Sequence, residues 1–550
     1  MPQIRMLVVL SVVLLPGLAS AASDMEHMAQ AAIRSGVEQI QRAAMVGSDP
    51  AARTAADNLA MFYAQHAHTP VWESDSRLAA LTSALEGLVD DGLEPNDYSV
   101  HLLRQSPGAS AHVSAQRACR DILATHAFLQ ALTHLAHGRL DPANVEPLWR
   151  FESPRNSVAN HALLLIAYTE LDSPSGAFDR VRPRTTLYRN LRQALAQLRL
   201  EATQGDWPQI PAGRSLRPGA IDPRVSLLRA RFSVPHDDSS MPSDAEIYDD
   251  ALVEAVKRFQ RRHHLEVDGI VGVETLGALN VPLAGRIEQV RINLERARWL
   301  ASVTNPLSEF VLVDVAGATI SFQRNDETVW SARTQVGRAS RPTPLLKSEI
   351  THFTFNPTWT VPPTILRKDK LPEIRRDIDY LARNRIRVID HAGNELDPAF
   401  IDWNQPGAVL LRQDAGPDNA LGQVAIRFPN PFSVYLHDTP SQRLFERDQR
   451  AFSSGCVRVE RAMELVDLLI GSTNGIDRTL VSEIIESGKT RNLSLRRPVP
   501  ILIAYWTAEA DAAGEIGFRN DIYAHDPALL HAMSARSPID EIIASCSPVH

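Results

Sequence analysis

The chain has 550 residues, too many for one core, and at roughly 150 residues per domain it divides into three or four units. Hydrophobic residues at 44% and charged residues at 22% are ordinary globular values that exclude wholesale disorder. A formal net charge of −8 speaks against a nucleic-acid binder, which works by neutralising phosphates with Lys and Arg.

Residues 1–21 open with a short positive region at Arg5, continue as the apolar run "MLVVLSVVLLPGLAS" and end in the small-x-small site Ala19-Ser20-Ala21. The run is short for a bilayer span, so an export signal cleaved near Ala21 is expected, with an uncleaved anchor as the alternative. No later stretch reaches transmembrane length, and no membrane span is expected in the mature protein. An oxidising compartment favours thiol pairing, yet Cys119, Cys456 and Cys546 are odd in number. Neither a C-x-x-C nor a second His pair beside His263-His264 suggests a zinc ligand set.

Residues 22–205 read as a helical region. "RLAALTSALEGLVDDGL" (77–93), "CRDILATHAFLQALTHLAHGRL" (119–140) and "TTLYRNLRQALAQLRL" (185–200) carry apolar residues near helical period. Pro208, Pro211, Pro218 and Pro223 mark a boundary. Residues 248–280 form a helix-loop-helix in which Leu252, Val256 and Phe259 mark the first helix. Asp268-Gly269 and Gly272 make its turns, and Thr275 begins or caps the second helix. A connecting helix covers 283–306. From about 307, β-rich runs recur at 309–337, 349–361, 422–429, 432–437 and 499–509, interrupted by a basic helical segment at 364–386. A mainly antiparallel β domain with an inserted helical lobe is expected.

Within that domain "FSVYLH" reads as a strand ending at His437. Ser453-Ser454-Gly455-Cys456 follows, and then Val459, Met463, Val466 and Leu469 or Ile470 at helical spacing. Cys456 is therefore expected at or just before a helix N-terminus, where the dipole would lower the thiol pKa. His437 could take the proton, Gly455 permits the bend, and the amides of Ser454, Gly455 and Cys456 could face an oxyanion. The competing interpretation is a buried turn cysteine and an unrelated histidine.

The pattern from His437 to Arg458, with its "SSGCVR", resembles the signature of L,D-transpeptidases with the YkuD-type catalytic domain. Ser454 stands where most members have a second histidine. "VGRASRPTPLLKSEITHFTFNPTWTVPPTIL" (336–366) is similar to the large periplasmic, YcbB-like subgroup, and "DGIVGVETLGALN" resembles a small peptidoglycan-binding module. "YAQHAHTPVWE" (63–73), "DDGLEPNDY" (90–98) and "HGRLDP" (137–142) look like that subgroup's helical scaffold.

The resemblance implies a multidomain α+β protein. A signal peptide (1–21) precedes a helical scaffold (22–205), a peptidoglycan-binding-like module (215–282), the connecting helix (283–306) and a mainly β catalytic domain (307–527). The catalytic domain carries a helical capping lobe at about 364–420, and a tail (528–550) follows. The implied setting is the periplasm of a Gram-negative-type bacterium. Cys456 would attack the diaminopimelate carbonyl of a tetrapeptide stem, expel D-alanine, and pass the acyl group to the side-chain amine of a second diaminopimelate. That chemistry needs no metal or other cofactor. The implied partners are donor and acceptor stem peptides, together with other cell-wall synthesis enzymes.

His437 would serve as base, oriented by the backbone carbonyl of Asp438, with the Asp438 carboxylate as a rival. Arg458 could anchor a substrate carboxylate or pair with Glu460 or Glu464. Tyr435 and Trp359 could line the pocket or simply pack. The basic run Arg367, Lys368, Lys370, Arg375 and Arg376 is either a solvated face or a lid over an acidic peptide. Two other functions stay open: a carboxypeptidase or hydrolase using the same cysteine, and a non-catalytic murein-binding scaffold.

Overall fold

The computed structural model describes residues 16–46, 49–105, 113–147, 149–150, 157–233, 245–304, 307–325, 327–471 and 475–535. The export signal up to residue 15, Cys546 and most of the expected tail lie outside them. The chain forms two units, residues 1–139, 154–183 and 533–550 in the first and 140–153 and 184–532 in the second.

In the first unit the leucine spacing becomes helices Pro16–Val46, Pro50–Gln65, Asp75–Glu86, Val113–His137, Ser157–Thr169 and Pro174–Val181. Side chains satisfy backbone donors at two starts: Asp49 accepts from Ala51 N, and Ser74 from Arg77 N. Leu59, Phe62, Leu81, Leu85, Phe128 and Leu132 are fully buried between them. One carboxylate enters this core. Asp121 accepts from Tyr63 Oη at 2.6 Å, Val71 N at 2.9 Å and Trp72 N at 2.6 Å. Burial outweighs these bonds and pushes its pKa up to about 6. No helix among the described residues is long and apolar enough to cross a membrane.

The second unit starts earlier than the sequence boundary at 205. Thr186–Gln204, capped by Thr185, packs its Tyr188, Leu191 and Leu195 against Leu283, Val290 and Leu294. The small module contains helices Arg224–Phe232, Asp250–Arg262 and Val273–Leu279. Thr275 does not begin its helix, whose cap residue is Gly272. Thr275 is buried one turn in and accepts from Gln260 Nε2 at 3.2 Å, because the Gln260 amide ties the whole Asp268–Ile270 turn together. Leu283–Thr304 is a core helix with buried ion pairs, Arg298 on Glu295 at 2.6 Å and Arg296 on Glu146 at 3.1 Å.

The strands are β1 (Trp149–Arg150), β2 (Glu309–Asp314), β3 (Thr319–Arg324), β4 (Glu327–Gly337), β5 (Leu345–Phe355), β6 (Trp359–Thr360), β7 (Ile386–Ile389) and β8 (Glu395–Leu396). β9 (Leu410–Gln413), β10 (Val424–Arg427), β11 (Leu436–His437), β12 (Ala451–Ser453), β13 (Val457–Val459), β14 (Arg491–Ala504), β15 (Ala508–Ala510) and β16 (Ile516–Phe518) complete the set. The main sheet runs β1-β5-β10-β11-β13-β4-β3-β2-β14, with β12 beside β4. β14 also pairs with β5, so the strands from β5 to β14 close on themselves and leave few free edges.

The inserted lobe is not simply helical. Short helices, among them Leu371–Arg376 and Tyr380–Arg383, pack on a second sheet ordered β6-β9-β7-β8. Ile386–Ile389 and Leu410–Gln413 are four-residue runs, too short for period alone to separate strand from helix.

Candidate active site

β11 and β13 lie side by side and parallel, pairing Leu436 with Val457 and His437 with Arg458. Side chains alternate along strands, so Leu436, Val457 and Val459 enter the core while His437 and Arg458 share the other face. Between the two strands the chain doubles back through β12, which pairs with β4. Cys456 arrives just ahead of β13, where Val457 N donates to Tyr435 O at 3.1 Å. His437 and Cys456, separated by a long polar loop in sequence, thus sit on adjacent chain segments.

The expected helix N-terminus at Cys456 is absent. Val457–Val459 is a strand, and the helix begins only at Ala462. Pairing with β11 on one side and β4 on the other decides this, and Val459 belongs to that strand rather than to the helical stripe. The thiol pKa is accordingly not lowered. Burial pushes it up, and the opposing pull of Tyr435, Arg427 and Arg458 only reduces the rise.

His437 is 4% exposed, and its Nδ1 lies 2.6 Å from the Asp438 carbonyl oxygen. A carbonyl only accepts, so Nδ1 carries the proton and the Nε2 lone pair is left free. Burial, with Arg458 second, pushes the imidazole pKa down to about 3, which makes it neutral at physiological pH. The Asp438 carboxylate points elsewhere, accepting from Gln423 N at 2.9 Å and Gln442 Nε2 at 3.2 Å.

Gly455 holds φ at +116°, a value other residues rarely adopt. Space is not the constraint, since a Cβ there would meet Pro342 O only at 3.6 Å. Of the three amides expected to face an oxyanion, Gly455 N is already used inside the turn, donating to Ser453 Oγ at 3.1 Å. Ser453 Oγ in turn donates to Cys456 O at 2.5 Å. The amides of Ser454 and Cys456 make no such bond among the described residues. A loop at 338–343 cradles the turn. Arg338 N donates to Ser453 O at 3.1 Å, Thr343 Oγ1 to Gly455 O at 2.9 Å and Arg341 Nη1 to Ser454 Oγ at 2.8 Å. Arg341 also reaches Asp369 of the lobe at 2.5 Å. Gly337 opens this loop, and a Cβ there would lie 2.3 Å from Arg341 O.

Tyr435 joins the cluster, its ring 5.7 Å from that of His437. Arg458 pairs with neither sequence candidate. Glu460 is taken by Arg333 at 2.5 Å and Glu464 by Arg461 at 2.9 Å, while among the described residues Arg458 donates to Gln335 Oε1 at 3.0 Å. Trp359 packs with Val361, Leu371 and Leu411 in the lobe, its ring 5.5 Å from Lys370 Nζ. Sequence reasoning missed Arg427, whose guanidinium lies 3.9 Å over the Tyr435 ring. Its one signal was a charge closing the apolar run "VAIR".

Residues 308–481 match the L,D-transpeptidase catalytic domain family (YkuD), 228–279 a "Putative peptidoglycan binding domain" and 57–195 a "Scaffold domain". A "Putative L,D-transpeptidase" of Haemophilus influenzae is 32% identical over 242 residues, spanning 44% of this chain and 48% of the relative. Two solved structures are less identical. An L,D-transpeptidase from Mycobacterium smegmatis is 12% identical over 36% of this chain and 58% of its own, at a TM-score of 0.18. One from Xylanimonas cellulosilytica is 14% identical over 53% and 98%, also at 0.18.

Proposed function

We propose that this chain, which carries a YkuD-type L,D-transpeptidase catalytic domain and a peptidoglycan-binding domain, is an exported transpeptidase of the large YcbB-like kind that crosslinks peptidoglycan stems. The observation that supports this proposal is the pairing of β11 with β13, which runs the segments that carry Cys456 and a neutral, carbonyl-held His437 side by side.

In the proposed reaction His437 Nε2 takes the Cys456 proton as sulfur attacks the diaminopimelate L-centre carbonyl of a tetrapeptide stem. The amides of Ser454 and Cys456 receive the developing oxyanion. The C–N bond breaks, His437 returns the proton to the departing D-alanine amine, and a thioester remains. The side-chain amine of a second diaminopimelate then attacks, loses a proton to His437, and releases the thiol as the new amide forms. The acyl bond energy is kept throughout, so the step suits the extracytoplasmic side, where no nucleotide fuel is needed. A positioned general base contributes roughly 100- to 10,000-fold, and the carbonyl-locked imidazole is suited to that role.

The test is product analysis by mass spectrometry. Residues 22–550 and the Cys456→Ala variant are incubated with disaccharide-tetrapeptides bearing meso-diaminopimelate. Crosslinked dimers that have lost one D-alanine, absent with the variant, are the expected result. Tripeptide and free D-alanine without dimers would replace transfer by hydrolysis, and unchanged substrate would leave a murein-binding role.

A further inference from the structure

The sheet register brings to the thiol a cation that the mechanism above does not use. Backbone partners run His352 with Arg427 between β5 and β10, Ala425 with His437 between β10 and β11, and His437 with Arg458 between β11 and β13. Lateral partners share a face, as do alternate residues along a strand. Arg427, Tyr435, His437, Cys456 and Arg458 therefore occupy one face, with the two guanidinium groups on either side of the Tyr435–His437 segment.

Their bonding is incomplete. The Arg427 guanidinium carbon lies 3.9 Å over the Tyr435 ring, and its side chain also bonds that of Tyr435, so one flat face and part of its donor set are engaged. No carboxylate among the described residues pairs with it or with Arg458. Arg458 spends one Nη1 donor on Gln335 at 3.0 Å, and its Nε is buried without any partner. A buried charge-assisted donor left unpaired is costly, so an anion has a place prepared for it.

We infer that Arg427 and Arg458 form a carboxylate subsite beside Cys456, which holds a free carboxylate on the residues flanking the bond under attack. This subsite presupposes the acyl-transfer function proposed above and names what its donor must carry. A planar carboxylate matches the guanidinium edge bidentately. In a tetrapeptide stem two groups have this chemistry: the carboxylate of the departing D-alanine and that on the diaminopimelate D-centre.

The first experiment needs no peptide. The full chain is alkylated with anionic iodoacetate or neutral iodoacetamide, and Cys456 modification is followed by mass on the tryptic fragment 451–458. Arg427→Met raises the thiol pKa and slows both reagents, so the iodoacetate-to-iodoacetamide rate ratio is the readout. The ratio should fall about tenfold or more in Arg427→Met, and by less in Arg427→Lys, which keeps the charge but loses the fork. A ratio unchanged in both variants would overturn the subsite. The second experiment compares donor stems amidated at one carboxylate or the other. Wild type should discriminate against one of them and Arg427→Met should not; wild-type indifference to both would also overturn the subsite. If wild type turns over no stem at all, the transfer function fails, and the alkylation ratio still decides the subsite.

Discussion

On the helix Leu283–Thr304, Arg298 is fully buried 2.6 Å from Glu295, and Arg296 is held by Glu146 and Asp526 at 3.1 and 2.6 Å. Buried Arg450 has backbone carbonyls instead, including Arg447 O at 2.8 Å and Thr334 O at 3.2 Å. On the sheet face beside Cys456, Arg427 has an aromatic ring and Arg458 a single amide oxygen. Arg296, Arg298 and Arg450 are therefore saturated where they support the fold, whereas Arg458 is left short of acceptors at the thiol. Stability is given up locally where a ligand is to bind, as is common for functional sites.

Removing a partner from the saturated group should have the largest effect. Glu295→Ala strands the Arg298 charge and also frees the Leu140 and Trp299 N–H groups, which Glu295 accepts at 2.8 and 3.1 Å. A loss of about 3–5 kcal/mol is expected from chemical denaturation of the full chain. A loss below about 1 kcal/mol would mean that the saturated cluster carries no more of the fold than an exposed ion pair.

Asp121 extends the contrast to an anion. Its bonds are complete, yet burial raises its pKa from 3.8 to about 6. The folded state then binds more protons than the unfolded state between about pH 4 and pH 6. This contribution to stability is full below pH 4, declines as pH rises, and has fallen by about 3 kcal/mol above pH 6. Subtracting the Asp121→Asn profile from the wild-type profile isolates it, and a difference that is flat between pH 4 and 7 would show that the carboxylate stays ionised throughout.

At the thiol the same physics gives a kinetic signature. With the Cys456 pKa raised and His437 near 3, the resting pair is thiol and neutral imidazole. Alkylation by iodoacetamide should rise about tenfold per pH unit through neutrality, with no inflection near 6–7. A plateau already reached at pH 6 would instead indicate a thiolate–imidazolium ion pair.

Much of this was legible in the sequence wherever the determinants are local. Leucine spacing placed helices well at 77–93, 119–140 and 185–200, and the His437–Cys456 motif named the pair proposed to react. Errors arose where a distant partner decides the outcome. "VRV" is a strand because β11 and β4 flank it, Gly455 N is unavailable because Ser453 folds onto it, and the lobe strands exist only by pairing with one another. Arg427 was invisible because nothing within its own strand indicates that register brings it beside Tyr435, across β11 from Arg458.

The smallest effect tests the contrast most sharply. Arg427→Met replaces a guanidinium lacking a carboxylate with an apolar side chain of similar length, and Arg458→Met does the same where Nε is buried and unpartnered. Arg458→Met removes a desolvated charge at the cost of one neutral hydrogen bond, and Arg427→Met gives up only the contacts with Tyr435. Stability should change by no more than about 1 kcal/mol, and for Arg458→Met it should rise, because the desolvation penalty disappears with the charge. Denaturation of both variants beside Glu295→Ala provides the measurement. A loss at Arg458→Met as large as at Glu295→Ala would make the sheet-face arginines structural members like those of the helix, with no vacancy for a carboxylate. A gain in stability accompanied by loss of anion preference at Cys456 would mark them as groups whose missing partner arrives with the substrate.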